Sequence, residues 1–130
     1  MVIEDNSRVG AIYFLMSEEN VKRQIKLPYM SFGSDGSALA PEAPFLSSNP
    51  HPRSYGNVAR LLGKYVREEK VISLEEAVKK LTSLPASNLG IKNRGSLTVG
   101  YFADIVLFDP ETIADKATFS KPHQLSVGVS

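Results

Sequence analysis

The chain has 130 residues, a formal net charge of +1, 42% apolar residues, no cysteine and two histidines. This is the composition of a soluble globular chain of about one domain, and the near-neutral charge gives no reason to expect a nucleic acid or a membrane as partner. The lack of cysteine excludes disulfides, zinc–thiolate sites and a cysteine nucleophile, and the lack of a signal peptide or membrane span leads us to expect a cytoplasmic protein.

The first elements in chain order form a strand, a helix and a second strand. Residues 9–16 are an almost continuous apolar run, which is typical of a strand buried on both faces. Ser17 is a helix cap, with Val21 and Ile25 on one face of the helix that follows. Residues 29–35 are the next strand, so the pattern predicts a right-handed βαβ unit with parallel strands.

The second strand ends in the sequence FGSDG, residues 32–36. Asp35 therefore lies at a strand tip between glycines, where the backbone turns sharply and nothing bulky covers the carboxylate. Such a position suits a catalytic acid, and it equally suits an ordinary turn.

The segment 36–56 is rich in proline and has no helical period. A loop of this length within a compact domain is usually a lid, a binding loop or a disordered segment. It leaves the predicted strand at its carboxyl end, where parallel sheets and barrels place their active sites.

Two amphipathic helices and a strand are predicted after the loop. The first helix carries an apolar stripe from Val58 to Val66 that includes Tyr65, which we expect in the core. The second begins with a capping box at Ser73 and ends before Pro85, and residues 86–90 form one more short turn closed by glycine. Residues 103–108 are the last predicted strand.

Seven pieces of sequence, in this order, resemble the N-acyl-D-amino-acid deacylases, or D-aminoacylases, of the amidohydrolase superfamily. The resemblance covers nearly the whole chain. The pieces are SEEN, FGSDG, HPRSYG, LGKYVREE, SLEEAVKKLTSLPASNLG, RGSLTVGYFADIVLFDPETIADKATF and KPHQ. Single pieces are weak evidence, but their order is specific.

The resemblance implies an α/β fold, namely a C-terminal fragment of an (αβ)8 amidohydrolase barrel with part of a small β-sandwich domain. Residues 1–92 would hold the last one or two barrel strands and the following helices, with the long loop at 36–56. Residues 93–130 would form a partial β-sandwich segment and tail. A complete barrel needs roughly 250 residues, and a mostly helical arrangement is the alternative for the isolated chain.

The resemblance also implies a metal-dependent hydrolase that cleaves a small N-acyl-D-amino acid to a carboxylate and a D-amino acid. In that family zinc polarises the amide, and Asp35 matches the aspartate that moves the proton and lies at the metal. Arg53 and His51 are candidate substrate-binding residues, since the Arg53 guanidinium suits a carboxylate. The alternative, which the residue types favour, is a loop held by hydrogen bonds.

The histidine pair and the other metal ligands of the family have no equivalent in this chain, and catalytic zinc takes about three protein ligands. We therefore expect the isolated chain to bind no zinc and to be inactive. A second hypothesis is a non-catalytic subunit or interaction domain derived from an amidohydrolase. Strands without their barrel neighbours expose apolar surface, which predicts a homo-oligomer.

Overall fold

The computed structural model describes residues 3–4 and 13–130. The helices are α1 (Glu18–Lys26), α2 (Arg53–Arg60), α3 (Leu74–Leu81) and α4 (Ser83–Asn88), together with a π-helical segment (Leu61–Glu68) and a short 3-10 turn (Phe45–Ser47). The π-helical segment continues α2 without a break, and we call the two together the central helix. No helix in the described ranges is long and apolar enough to cross a membrane.

Serine side chains cap α1 and α3 as predicted. Ser17 Oγ accepts a hydrogen bond from the Asn20 amide at 3.5 Å, and Ser73 Oγ accepts one from the Glu76 amide at 3.2 Å. Each bond satisfies an amide that has no partner within the helix, and acidic residues in both first turns favour the positive end of the helix dipole. Local sequence alone therefore determines where these two helices begin.

The helical hairpin between α3 and α4 forms around a proline. α3 ends at Leu81, the backbone bends at Thr82, and Pro85 lies in the first turn of α4, where a missing amide hydrogen costs little. Gly90 follows α4 with a φ of 66°, which glycine adopts without strain. A short helical element closed by glycine forms as predicted, but it begins at Ser83 rather than at residue 86 and includes Pro85.

The central helix begins at Arg53, so the predicted loop 36–56 is too long at its C-terminal end. The backbone amide of Arg53 donates to His51 Nδ1 at 3.1 Å, and Pro52 is already in the right-handed helical conformation. The histidine ring thus caps the helix, a role usually held by serine, threonine or aspartate. The start of the helix at Arg53 was not predicted because the prolines before it favour a loop.

The core joins α1, the central helix and α3 to residues 109–130, which we call the C-terminal segment. Tyr65 is 7% exposed, which confirms its predicted place in the core, and Ala77 is completely buried. Ile113 comes from the segment after the helices. The buried apolar cluster consists of Ile25, Ala59, Leu61, Leu62, Tyr65, Ala77 and Ile113.

The C-terminal segment lies directly on the central helix, where glycines let the two backbones approach. A Cβ atom on Gly63 would lie 2.7 Å from the Ile113 carbonyl oxygen, and one on Gly56 would lie 2.7 Å from Asp115 Cβ. Arg67 Nη1 donates to the carbonyls of Pro110 at 3.1 Å and Ile113 at 2.7 Å. The division of the chain at residue 92 stays a prediction.

The predicted strands do not form in the described part of the chain. Residues 13–16, 29–35 and 103–107 have no ladder partner, and the remaining β pairing consists of the isolated antiparallel bridges Phe108–Val129 and Ala114–Val127. Residues 9–12 of the first predicted strand lie outside the described ranges. A strand needs a hydrogen-bonded neighbour, so the helical alternative holds here and the barrel arrangement stays a prediction.

Apolar side chains in these unpaired segments are exposed. Phe14 and Leu15 are 78% and 82% exposed, and Ile105, Val106 and Leu107 are each more than 60% exposed. Consecutive residues of an extended segment point to opposite sides, so both faces of 105–107 lack a cover. The unpaired backbone and the exposed side chains therefore occur together.

We predict that Gly63→Ala lowers the free energy of unfolding by about 1–3 kcal/mol, because the new methyl group would push the Ile113 carbonyl off the central helix. Gly33→Ala is the control, since a Cβ atom there meets nothing within 4 Å; its effect should stay within about 0.5 kcal/mol. Urea unfolding of both variants measures the difference, and equal losses would contradict the close contact.

We predict that Glu18→Gln makes stability less dependent on acid pH. Lys64 Nζ donates a hydrogen bond to Glu18, which lowers the pKa of the carboxyl below its ordinary value of 4.5, with a smaller contribution from the Tyr65 hydroxyl. A lowered folded-state pKa means that this stabilisation is complete above about pH 4.5 and is lost as the pH falls through the folded-state pKa. Thermal unfolding between pH 6 and pH 3 measures it.

The expected difference is below about 1 kcal/mol, because the Glu18 side chain is half exposed. Glu19→Gln is the control: Glu19 pairs with Arg23 inside α1 and joins no second element. A Glu18→Gln variant with the same acid sensitivity as the parent would disprove the role of this bond.

Candidate functional site

Asp35 lies at the end of an extended segment, with its carboxylate in solvent. Its backbone is left-handed, with a φ of 48°, which aspartate tolerates better than most residues. The side chain is 87% exposed, and Oδ2 lies 3.0 Å from Arg53 Nη2. The sequence correctly placed this carboxylate at an uncovered turn, although the segment before it is not a strand.

The segment that carries Asp35 is held on the first turns of the central helix. Asn57 Nδ2 donates to the Gly33 carbonyl at 3.3 Å. Gly36 lies so close to Ser54 that a Cβ atom there would be 3.0 Å from Ser54 Cα. These contacts fix the turn on both sides of Asp35, so the position of its carboxylate depends on the helix rather than on a sheet.

A cavity of about 510 Å³ lies beside the start of the central helix. Residues 13–16 and Phe119 give the cavity an apolar lining, and a polar wall comes from His51, Arg53, Asn57 and Arg60 around the start of the central helix. The carboxylates of Glu18 and Asp115 also belong to the lining residues. Asp35 does not line the cavity, but its ion-pair partner Arg53 does. The structure therefore brings the three predicted site residues to one place, with Asp35 at the edge.

The His51 ring of this wall lies between the start of the central helix and Phe119. Burial lowers its pKa, and the positive charge of Arg53 lowers it further. Nδ1 accepts the Arg53 amide hydrogen, and the ring packs edge-on against Phe119 with 5.0 Å between centroids. These contacts agree with the hydrogen-bonded loop that the residue types favoured.

Arg60 forms the second ion pair of the wall, with Asp115. Arg60 Nη1 lies 3.1 Å from Asp115 Oδ2, and although burial acts to lower the pKa of Arg60, the hydrogen bond and charge of Asp115 outweigh it and raise that pKa. Asp115 is only 20% exposed. This pair links the central helix to the C-terminal segment. Its carboxylate is largely shielded although Arg60 is 48% exposed, whereas the carboxylate of the Arg53–Asp35 pair is in solvent.

Asn57 and Arg60 line the cavity but were not predicted as site residues. Together with Arg53 they recur at i, i+4 and i+7, which is one face of a helix. The assignment of residues 36–56 to a loop separated Arg53 from this stripe. A helix predicted from residue 53 onward would have placed these three side chains together on the polar face, opposite the apolar stripe.

The described residues do not fit a zinc ion on their own. No group of three histidine, cysteine, aspartate or glutamate side chains that could hold a metal occurs in the described ranges. Asp35, the predicted metal residue, faces the Arg53 guanidinium. It can offer at most one carboxylate ligand, which is fewer than a catalytic zinc site requires.

Two curated proteins from one organism are similar to nearly the whole chain. The chain is 45% identical over 120 residues to the N-acyl-D-aspartate deacylase of Alcaligenes xylosoxydans xylosoxydans, covering 92% of this chain and 23% of that protein. It is 42% identical over 128 residues to the D-aminoacylase of the same organism, covering 98% of this chain and 25% of that protein. The chain thus spans about a quarter of the length of these curated relatives.

A solved structure shares the conformation of the chain. The N-acyl-D-glutamate deacylase of Bordetella bronchiseptica, crystallised with zinc and a phosphonate mimic of the tetrahedral intermediate, superposes with a TM-score of 0.81 at 44% identity. The match covers 91% of this chain and 23% of that one.

The sequence model of the amidohydrolase family matches residues 9–130, which is nearly the whole chain. The family resemblance expected from the seven sequence pieces is confirmed by this match and by the relatives above. The chain belongs to the amidohydrolase family.

Proposed function

We propose that this chain is the part of a metal-dependent N-acyl-D-amino-acid deacylase that carries the proton-transferring aspartate, Asp35. The observation that carries the proposal is the 0.81 TM-score and 44% identity to the N-acyl-D-glutamate deacylase over 91% of this chain. The reaction is hydrolysis of the amide bond to a carboxylate and a free D-amino acid.

The position of Asp35 suits proton transfer. Its carboxylate is exposed at a turn, and the Asn57 and Ser54 contacts hold the backbone around it. A general acid–base group must come within hydrogen-bond reach of the reacting atoms, and an uncovered, anchored carboxylate meets that condition. Asp35 would also provide one ligand to a metal held by groups outside the described residues.

Arg53 is the proposed substrate-binding residue. It lines the 510 Å³ cavity and uses Nη2 toward Asp35, while the guanidinium has further donors in its planar fork. The carboxylate of an N-acyl-D-amino acid suits those donors. His51 contributes indirectly, since its ring caps the helix turn on which Arg53 lies.

The rest of the site would come from the portion of the relatives that this chain does not span, about three quarters of their length. The exposed apolar segments at residues 13–16 and 105–107 are the surfaces that would pack against it. By themselves, the described residues provide no zinc site, so we propose that they do not catalyse the reaction alone. Homo-oligomerisation through the same surfaces stays a prediction.

We predict that the purified chain has no zinc site tighter than about 0.1 mM, because a single carboxylate cannot replace the hydration shell of the ion. Isothermal titration with zinc chloride measures this. Asp35→Asn is the control and should leave the isotherm unchanged. A stoichiometric, tighter site that is lost in Asp35→Asn would contradict the expectation.

We predict that a chimera hydrolyses N-acyl-D-amino acids when this chain replaces the matching 120 residues of the Alcaligenes N-acyl-D-aspartate deacylase. Asp35→Asn in the chimera should lower kcat by about 10²- to 10⁴-fold, the usual contribution of a general acid–base group. Release of free D-amino acid from the zinc-loaded chimera measures both effects.

Asp104→Asn is the matched control, since Asp104 is also an exposed aspartate paired with an arginine, Arg94. It should leave kcat within about twofold, as expected of a surface ion pair. A folded chimera without activity would count against the deacylase function, whereas an active Asp35→Asn chimera would refute only the role of Asp35.

A further inference from the structure

We propose that Lys80, a buried lysine of α3, is a positioning residue for Asp35. Its ammonium group and its backbone carbonyl both hold the segment that runs from the end of α1 to Asp35. The inference rests on the proposed function of Asp35, but the contacts that carry it belong to this chain alone.

The Lys80 side chain is completely buried and binds the end of α1. Its Nζ donates to the Ile25 carbonyl at 2.7 Å and also to the Leu27 carbonyl. Carbonyls at a helix C-terminus lack intrahelical partners and carry the negative end of the helix dipole, so they suit a cation. The nearest carboxylate oxygen, Oε1 of Glu76, is 3.9 Å away, beyond hydrogen-bond distance.

The backbone of Lys80 holds the same segment five residues further on. The Phe32 amide donates to the Lys80 carbonyl at 3.3 Å, and the Phe32 ring centroid lies 5.9 Å from Lys80 Nζ. Beyond Phe32, Asn57 binds the Gly33 carbonyl and Arg53 meets Asp35. Lys80 therefore holds the first part of the segment between α1 and Asp35, and the central helix holds its last part.

A buried ammonium is a costly way to fill a core position, because an apolar side chain would avoid the desolvation of a charge. The ammonium instead provides directional hydrogen bonds, which hold the Ile25 and Leu27 carbonyls at defined positions. A reacting carboxylate must be held within about 0.5 Å by the groups behind it. The segment that ends in Asp35 has no sheet neighbour in the described residues, and Lys80 takes that supporting role.

The test compares amide hydrogen exchange in the full chain and in Lys80→Met, which keeps the apolar stem and removes the donors. We expect exchange at Met30 and Phe32, whose amides donate to the Leu27 and Lys80 carbonyls, to accelerate by about tenfold or more, the effect of losing a buried hydrogen bond to a charged group. Exchange at Leu62 and Tyr65 in the central helix should change by less than about twofold.

Lys79→Met is the matched control: Lys79 is the preceding residue of α3, is half exposed and pairs with Glu76 at 3.6 Å. It should change neither set of amides. Unchanged exchange at Phe32 in Lys80→Met would overturn the proposal. So would equal acceleration at all four amides, or loss of helical circular dichroism, because Lys80 would then support the whole fold and not the Asp35 segment.

The active chimera described above supplies a second readout. Lys80→Met there should lower kcat about tenfold or more with KM within about twofold, since the substrate contacts of Arg53 stay in place. Equal changes in kcat and KM, or no change, would overturn the positioning role. Failure of the parent chimera to hydrolyse substrate would speak against the deacylase function, and the exchange experiment would still decide whether Lys80 holds the segment.

Discussion

The close contact between the C-terminal segment and the central helix is the constraint on which the rest of the structure depends. Gly56 and Gly63 leave no room for a side chain there, and Arg67 binds the Ile113 carbonyl across the contact. Because Ile113 belongs to the buried apolar cluster, the same contact closes that cluster. It also brings Asp115 to Arg60 and so forms the fixed wall of the cavity. A helix and a segment about 50 residues apart in sequence thus create both the core and the site.

The helices were predictable from the sequence because their signals are local. Ser17 and Ser73 bind amides three residues away, and the apolar stripe around Tyr65 repeats within a few turns. The strands were not predictable in the same sense. Residues 103–108 have the composition of a strand, but a strand exists only when another chain segment pairs along it. In the described residues this pairing is confined to the Phe108–Val129 bridge and the adjoining bond from the Ser130 amide to the Leu107 carbonyl. The composition of this segment therefore indicates that it can form a strand beside a partner, and it does not show that a strand forms without one.

The candidate site was predictable only in part, for a related reason. Asp35 was found because glycines flank it at a turn, and this signal lies within five residues of sequence. Asn57, which holds the Gly33 carbonyl, was missed because its role depends on a helix start that His51 caps in an unusual way. Lys80 was missed because nothing in the pattern of α3 distinguishes it from the exposed Lys79 beside it. Residues whose contacts depend on a distant element are thus harder to predict than a residue whose signal lies in the adjoining sequence.

The contacts around the candidate site differ in how far they are buried. Lys80 is fully buried, and its contacts keep their strength because water cannot compete for them. In the Arg60–Asp115 pair the carboxylate is 20% exposed, although the Arg60 side chain is 48% exposed. The Arg53–Asp35 pair lies in solvent, where an ion pair contributes at most about 1 kcal/mol. A reacting carboxylate gains its power from a surrounding that excludes water. The chain therefore anchors Asp35 and leaves its carboxylate in solvent; under the proposed function, a cover that excludes water would pack on the exposed apolar segments at residues 13–16 and 105–107.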